Sequence, residues 1–213
     1  MSITLIIIIV TCIVSFMAFS NQKIMSDLIF YPPAVTNQRQ YQRFFTCGFI
    51  HADITHLLFN MLSLYLFGDA FVEVKFAEIF GPNGKFLYLL MYIAALPVSL
   101  LPTYLRNKNN YEYRSLGASG AVSAVVFAGL MIAPYIKVGL FIIPPIIPGF
   151  IFGPLYLIIS AFLDKKGGGN INHSAHIWGA LFGIAFLIVT GKLLADYNAI
   201  SEFVRGVKFY FNN

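Results

Sequence analysis

The sequence predicts an all-α polytopic membrane protein, a bundle of six transmembrane helices, and three observations predict it. Hydrophobic residues make up 58% of the 213 positions and charged residues 11%, with a mean hydropathy of +0.76, far too apolar for an ordinary soluble domain. The apolar residues gather into six runs, each close to the roughly 20 residues that a spanning helix needs. Those runs and their connections nearly exhaust the chain, so 1–213 reads as a single membrane domain with no room for a second.

The first run, Ile3 to Phe19, follows Met1-Ser2 without the basic flank of a cleavable signal peptide, and is expected to stay as a helix. From Ser20 to Asp53 the chain turns polar and carries Pro32-Pro33 and Arg43, a connection of roughly thirty residues and longer than structure alone requires. Its end is amphipathic: Tyr41, Phe44, Phe45 and Phe49 suit a membrane interface. Helix two is placed from Ile54 to Phe76 and helix three from Lys85 to Leu105, joined by the turn Gly81-Pro82-Asn83-Gly84.

Helix four, Gly117 to Ala133, is short for a full span, which suits a start below the membrane surface at the floor of a wet cavity. After Pro134, the residues Pro144, Pro145, Pro148 and Pro154 forbid one straight helix and favour a turn or interfacial hairpin. Helix five follows from Gly149 to Leu163. The loop Asp164 to Asn172 holds Gly167-Gly168-Gly169, helix six covers Ser174 to Leu194, and a polar tail closes the chain. No internal repeat is present.

Cys12 and Cys47 make neither a disulfide framework nor a metal-ligand spacing. The formal charge of +5 is scattered without a basic stripe, which suits anionic lipid headgroups and argues against nucleic acid as a partner. Lys and Arg divide eight to six between the two sets of alternating loops, so they carry no orientation signal.

The polar residues inside the apolar runs carry the functional reading. Ser119 sits between Gly117-Ala118 and Gly120 at the head of helix four, a small hydroxyl where a backbone or a carbonyl can approach closely, and reads as a nucleophile. All four histidines lie in two places: His51 and His56 at the head of helix two, His173 and His176 at the head of helix six. Helices two, four and six run in one direction, so His56, Asn60, Ser119 and His176 come level on one side of the membrane. His56 and Asn60, four apart, share a face. Gly179 and Gly183 on helix six offer a small-residue face to Gly120, Ala124 and Ala128 on helix four, which would bring His176 to Ser119. Blander readings stand beside this one. Ser119 could serve packing and Asn60 interhelical bonding, His51 and His173 read as structural or rim residues, and Asp69 and Glu73 as partners of backbone or of Lys and Arg. Convergence favours the site, because polar groups in hydrocarbon are expensive.

Three motifs, His51-x4-His56-x3-Asn60, Gly117-Ala118-Ser119-Gly120 and Ala175-His176-x2-Gly179-x3-Gly183, occur in the order in which they stand in rhomboid intramembrane serine proteases, and the chain resembles that family over essentially its whole length. Gly68, Glu73 and Arg43 also fit. Two positions depart: Gln42 replaces the tryptophan before that arginine, and Ser123 replaces the aromatic residue four positions after the nucleophile. The resemblance implies a Ser119 nucleophile, a His176 base, an oxyanion site of the Ser119 N–H with His56 and Asn60, and support from His51, Gly117, Gly120, Gly179, Gly183, Glu73 and Arg43. It implies no metal and no cofactor, the lipid bilayer and transmembrane protein substrates as partners, and a multi-pass place in a membrane such as a bacterial plasma membrane. Two alternatives stay open, a proteolytically inactive client-binding relative and a histidine-based metal transporter with Asp53 as its nearest carboxylate.

Overall fold

A computed structural model describes residues 1–139, 144–167, 169 and 171–212. The chain is mostly helical. Helix α1, Ile3–Ser20, begins at the N-cap Ser2, whose Oγ accepts from the Leu5 amide at 3.1 Å. Its remaining free amides are taken by Glu73: Ile3 N–H and Thr4 N–H donate to the carboxylate at 2.9 Å each, and the Thr4 hydroxyl adds a third bond at 2.8 Å. Ser2 Oγ also meets Asp69. Asp69 and Glu73 of helix two therefore face the N-terminus of α1, where negative charge is favoured.

The connection from Ser20 to Asp53 is largely helical, in three short pieces: α2 (Gln22–Leu28), α3 (Pro32–Gln38) and α4 (Arg43–Thr46), followed by a 3₁₀ turn at Cys47–Phe49. Proline at the first helical position starts α3 in the ordinary way. Arg43 holds the segment together by donating to the carbonyls of Ser26 at 2.8 Å and Ile29 at 2.6 Å.

Helix two is longer than the sequence suggests. It runs through α5 (Ile54–Ser63), a π-helical stretch (Leu64–Val72) and α6 (Glu73–Phe80), four residues beyond the expected end at Phe76. The apolar moment continues to Phe80, and Gly81, with φ of 57°, is what breaks it. A 3₁₀ turn, Gly81–Asn83, then reverses the chain into α7, Gly84–Asn107.

Helix α8, Ser119–Ile132, is the centre of the molecule: Ala121, Ala124, Val125 and Ala128 are fully buried, and α10, α7 and the π-helical stretch all pack on it. It begins two residues later than expected because Gly117 holds φ of 108° and cannot join a right-handed helix. Its 14 residues rise about 21 Å against a hydrocarbon thickness of about 30 Å.

Beyond Pro134 the chain forms a small antiparallel ribbon, β1 (Lys137–Val138) with β2 (Ile147–Pro148), where a turn or hairpin is expected; residues 140–143 lie outside the described part. Helix α9, Gly149–Lys166, contains Pro154 and continues three residues past the expected Leu163. Of the following glycine run, Gly168 lies outside the described residues, as does Asn170. Helix α10, His173–Leu194, is capped by Asn172, whose Oδ1 accepts from the Ala175 amide at 3.0 Å.

The expected polar tail is a helix, α11, Ala199–Asn212. Asn198 caps it, accepting from the Ser201 amide at 3.0 Å. Ile200, Phe203, Val204, Val207 and Phe211 recur at helical spacing between Glu202, Arg205 and Lys208, so charge lowers the average hydropathy of the segment while its pattern stays amphipathic. Among the described residues, three helical stretches are long and apolar enough to cross a membrane: Ile3–Ser20, Ile54–Asn107, which folds back at Gly81–Asn83, and His173–Leu194.

Candidate active site

The loop ahead of Ser119 is held from three directions. Ser115 exchanges backbone hydrogen bonds with Phe30 at 2.9 and 3.1 Å, Gly117 N–H donates to the Cys47 carbonyl at 2.9 Å, and Ala118 N–H makes a long bond to His51 Nε2 at 3.5 Å. Because Nε2 accepts there, the His51 proton sits on Nδ1, which donates to Ser15 Oγ at 2.9 Å; the Ser15 hydroxyl passes on to the Phe49 carbonyl at 3.0 Å. Burial first, then the neighbouring His56, pushes the His51 pKa down to about 3, and the relay requires that neutral ring. At Gly117 a Cβ would stand 2.7 Å from His56 Cε1. Glycine there serves both the backbone turn and the approach of His56.

On α5, Asp53 caps the helix by accepting from the His56 amide at 2.7 Å. The His56 ring stands edge-on to His51, with centroids 4.9 Å apart. One helical turn on, the buried Asn60 donates one amide hydrogen to the His56 carbonyl at 3.0 Å and keeps its second hydrogen free of partners among the described residues.

On α10, Asn172 does more than cap: its Oδ1 accepts from Thr103 of α7 at 3.1 Å and its Nδ2 donates to Ser115 at 3.3 Å, tying the head of α10 to the Ser119 loop. Further along, Gly179 lies against the Gly120 backbone and Gly183 against the Ala124 backbone, with no space for a Cβ at either. Gly120 in turn meets Ser99 of α7. Helices α8 and α10 are therefore in backbone contact through small residues. His176 Nδ1 lies 3.0 Å from the Tyr156 hydroxyl of α9, and the two rings stack at 20° with centroids 6.3 Å apart. Among the described residues no hydrogen bond joins Ser119 to His176. Asp164 pairs with Arg106 at 2.7 Å and is not turned to His176.

Ser119, His56, Asn60, Ser123, Tyr156 and His176 all line one cavity of about 680 Å³. The sequence model of the Rhomboid domain matches residues 38–193, which take in every one of these side chains. The chain belongs to the rhomboid family. It is 32% identical over 151 residues to the Arabidopsis thaliana protein "RHOMBOID-like protein 12, mitochondrial", covering 63% of this chain and 42% of that one. With "Presenilin-associated rhomboid-like protein A, mitochondrial" of Danio rerio it shares 28% over 145 residues, 66% of this chain and 35% of the relative. With "Putative rhomboid protease YdcA" of Bacillus subtilis it shares 29% over 161 residues, 72% of this chain and 70% of the relative. The chain thus spans less than half the length of the first two relatives and about two thirds of the third. The rhomboid assignment and the apolar helices make it an integral membrane protein.

In this rhomboid chain, the residues singled out in the sequence fall into three groups. Ser119, His176, His56 and Asn60 face the cavity. Gly117 and Gly120 line it as well, whereas His51, Gly179 and Gly183 stand behind it, with His51 fully buried and not at the rim. Arg43 and Glu73 sit away from it, one clasping the α2–α4 segment and the other anchoring α1. His173 stands edge-on to His176 at 5.9 Å. Among the described residues no three of His, Cys, Asp and Glu gather as a metal-ion set. Sequence reasoning missed Tyr156 and Ser15. With 22 Phe and 12 Tyr in the chain, a tyrosine in an apolar helix carries no signal of its own.

Proposed function

We propose that this protein is an intramembrane serine endopeptidase, a single membrane domain of six spanning helices that cuts transmembrane segments of membrane-anchored proteins. In this reading α1, α5 through α6, α7, the short α8, α9 and α10 form the spans. A bacterial plasma membrane is the proposed location; the relatives' names divide between mitochondrial proteins and one of Bacillus subtilis.

One observation carries the reading: Ser119 on α8 and His176 on α10 open onto the same cavity while glycine contacts hold their two helices in backbone contact. Ser119 Oγ attacks the scissile carbonyl. His176 takes the hydroxyl proton and returns it to the leaving amine, after which water repeats the sequence on the acyl-enzyme. Ser119 is the first residue of α8, so its N–H has no intrahelical partner and points out of the helix end with the positive pole of the dipole. That N–H, His56 and the spare hydrogen of Asn60 hold the oxyanion. Water reaches the nucleophile through the cavity, as hydrolysis requires.

The test is labelling and cleavage on one preparation. A fluorophosphonate should label the wild-type protein and not Ser119→Ala, and a reconstituted transmembrane substrate should be cut by the wild type alone, with His176→Ala as inactive as Ser119→Ala. A Ser119→Ala protein that cuts at the wild-type rate overturns the proposal.

A further inference from the structure

Ser123 leaves α8 without an aromatic residue beside His176, and the ring that lies beside the imidazole comes from α9. Tyr156 lies nearly parallel to the imidazole, and its hydroxyl is 3.0 Å from Nδ1. The ring is itself held on two sides, by Phe127 of α8 with centroids 5.7 Å apart and by Phe152, one turn earlier on α9, at 5.8 Å. The hydroxyls of Ser123 and of Ser160, one turn further along α9, are its polar neighbours. The small residue on α8 thus leaves room for the phenol and sets a hydroxyl near it.

We propose that Tyr156 is the positioning residue for His176, accepting the Nδ1 proton in a hydrogen bond and passing its own hydroxyl hydrogen to Ser123 or Ser160. The inference rests on the Ser119–His176 reading above. A neutral imidazole carries one proton, and only the tautomer protonated on Nδ1 leaves the Nε2 lone pair free to take the Ser119 proton. Nδ1 is already occupied by Tyr156, so Nε2 is the nitrogen left for the serine. With the serine hydroxyls as acceptors, the phenol O–H is drawn away from Nδ1 and its oxygen lone pair is turned toward it. When Ser119 gives up its proton, Nε2 binds it and Nδ1 keeps its own. The imidazolium then holds both N–H groups, one directed to the leaving amine and one to Tyr156. No acid is needed for this, which agrees with Asp164 being committed to Arg106. The parallel stack fixes the plane of the ring, so hydroxyl and ring have separable effects.

The variants are Tyr156→Phe, which keeps the stack and removes the acceptor, and Tyr156→Leu, which removes both. Loss of a partner that orients a metal-bound histidine from behind typically costs about 10- to 100-fold, and a catalytic base held in the same way should respond on that scale. Tyr156→Phe should lower kcat on a reconstituted substrate about 10-fold with KM within about twofold, and Tyr156→Leu about 100-fold. In ¹⁵N-histidine protein, with the His176 signals assigned by their loss in His176→Gln, the wild type should show the protonated nitrogen at Nδ1, and Tyr156→Phe a mixture of tautomers. A packing role alone would not move the tautomer. A wild-type kcat in Tyr156→Phe, a change confined to KM, or an unaltered tautomer each overturns the inference. Ser119→Ala in the same assay separates the two levels: if it is inactive while Tyr156→Phe is fully active, only the role of Tyr156 falls. If Ser119→Ala still cuts, the protease reading itself falls.

Discussion

The backbone contact between α8 and α10 can be tested with a single methyl group. At Gly179 an added Cβ would stand 2.8 Å from the Gly120 carbonyl carbon and 3.0 Å from its Cα, with the carbonyl oxygen closer still. Non-bonded carbons rest at about 3.5–4.0 Å, so Gly179→Ala has to push α10 back by about 1 Å. The clash is with backbone, which cannot swing aside as a side chain could. Overpacking of this kind costs about 1–3 kcal/mol, and alanine returns about 1 kcal/mol through its better helix propensity, leaving a net loss of about 1 kcal/mol. Activity should suffer more, because His176 lies one turn from the wedge and a misplacement of about 1 Å costs on the order of 10²-fold. The assay is cleavage in liposomes beside thermal unfolding in detergent, with Gly153→Ala as control: among the described residues its Cβ would meet Phe127 at 3.4 Å and Leu130 at 3.7 Å, ordinary contacts. Full activity in Gly179→Ala would refute the argument that backbone contact sets the distance between base and nucleophile.

If Asn60 is one of about three oxyanion donors as proposed, Asn60→Ala should lower turnover about 10²-fold while the affinity for a substrate helix stays unchanged; a loss confined to binding would place Asn60 in docking instead. Glu73→Gln leaves the α1 N-terminus short of a charged acceptor for its amides, and the unfolding free energy in detergent should drop by about 2 kcal/mol with cleavage at low temperature retained. His51 has a folded pKa of about 3 against an ordinary 6.5, so the unfolded chain binds the extra proton between those values. Its contribution to stability is complete above pH 6.5 and is lost as the pH falls toward 3. Melting temperature measured across that window should fall less steeply in His51→Gln than in the wild type.

How far the fold can be read from sequence depends on whether a residue's role is expressed along its own helix or between helices. The reversal at Gly81–Asn83 is legible because turn chemistry is local, and so is the shortness of α8, whose apolar run ends at Pro134. The head of α8 is less so. Gly117 looks like the first residue of a helix until its φ of 108° is known, a conformation set by bonds to Cys47 and by the approach of His56. The common cavity of His56, Asn60, Ser119 and His176 follows from parallel helix direction, which a sequence shows. What lies behind each of them does not, because Ser15, Ser99 and Tyr156 are ordinary residues made important only by the helix opposite. Helix α11 escapes for a different reason: Glu202, Arg205 and Lys208 lower its mean hydropathy although its spacing is helical.

The distribution of hydrogen bonds around the cavity separates scaffold from chemistry. A polar group inside a membrane has few partners other than protein, and leaving one unpaired is costly. The scaffold groups are accordingly paired. His51 has Ser15 on one nitrogen and Ala118 on the other, Asn172 makes three bonds, Asp53 caps its helix, and His176 Nδ1 has Tyr156. The groups that chemistry would use, the Ser119 hydroxyl, the far nitrogen of His176 and one amide hydrogen of Asn60, are left without such a partner among the described residues. They avoid the penalty because they look into a cavity and not into lipid, with Ser119, His56 and His176 only half-buried. A site built for packing would close these groups onto one another. Here each is held rigidly from behind and left open in front, the arrangement that a preorganised site requires, since the donors then need no reorganisation when charge develops on the substrate.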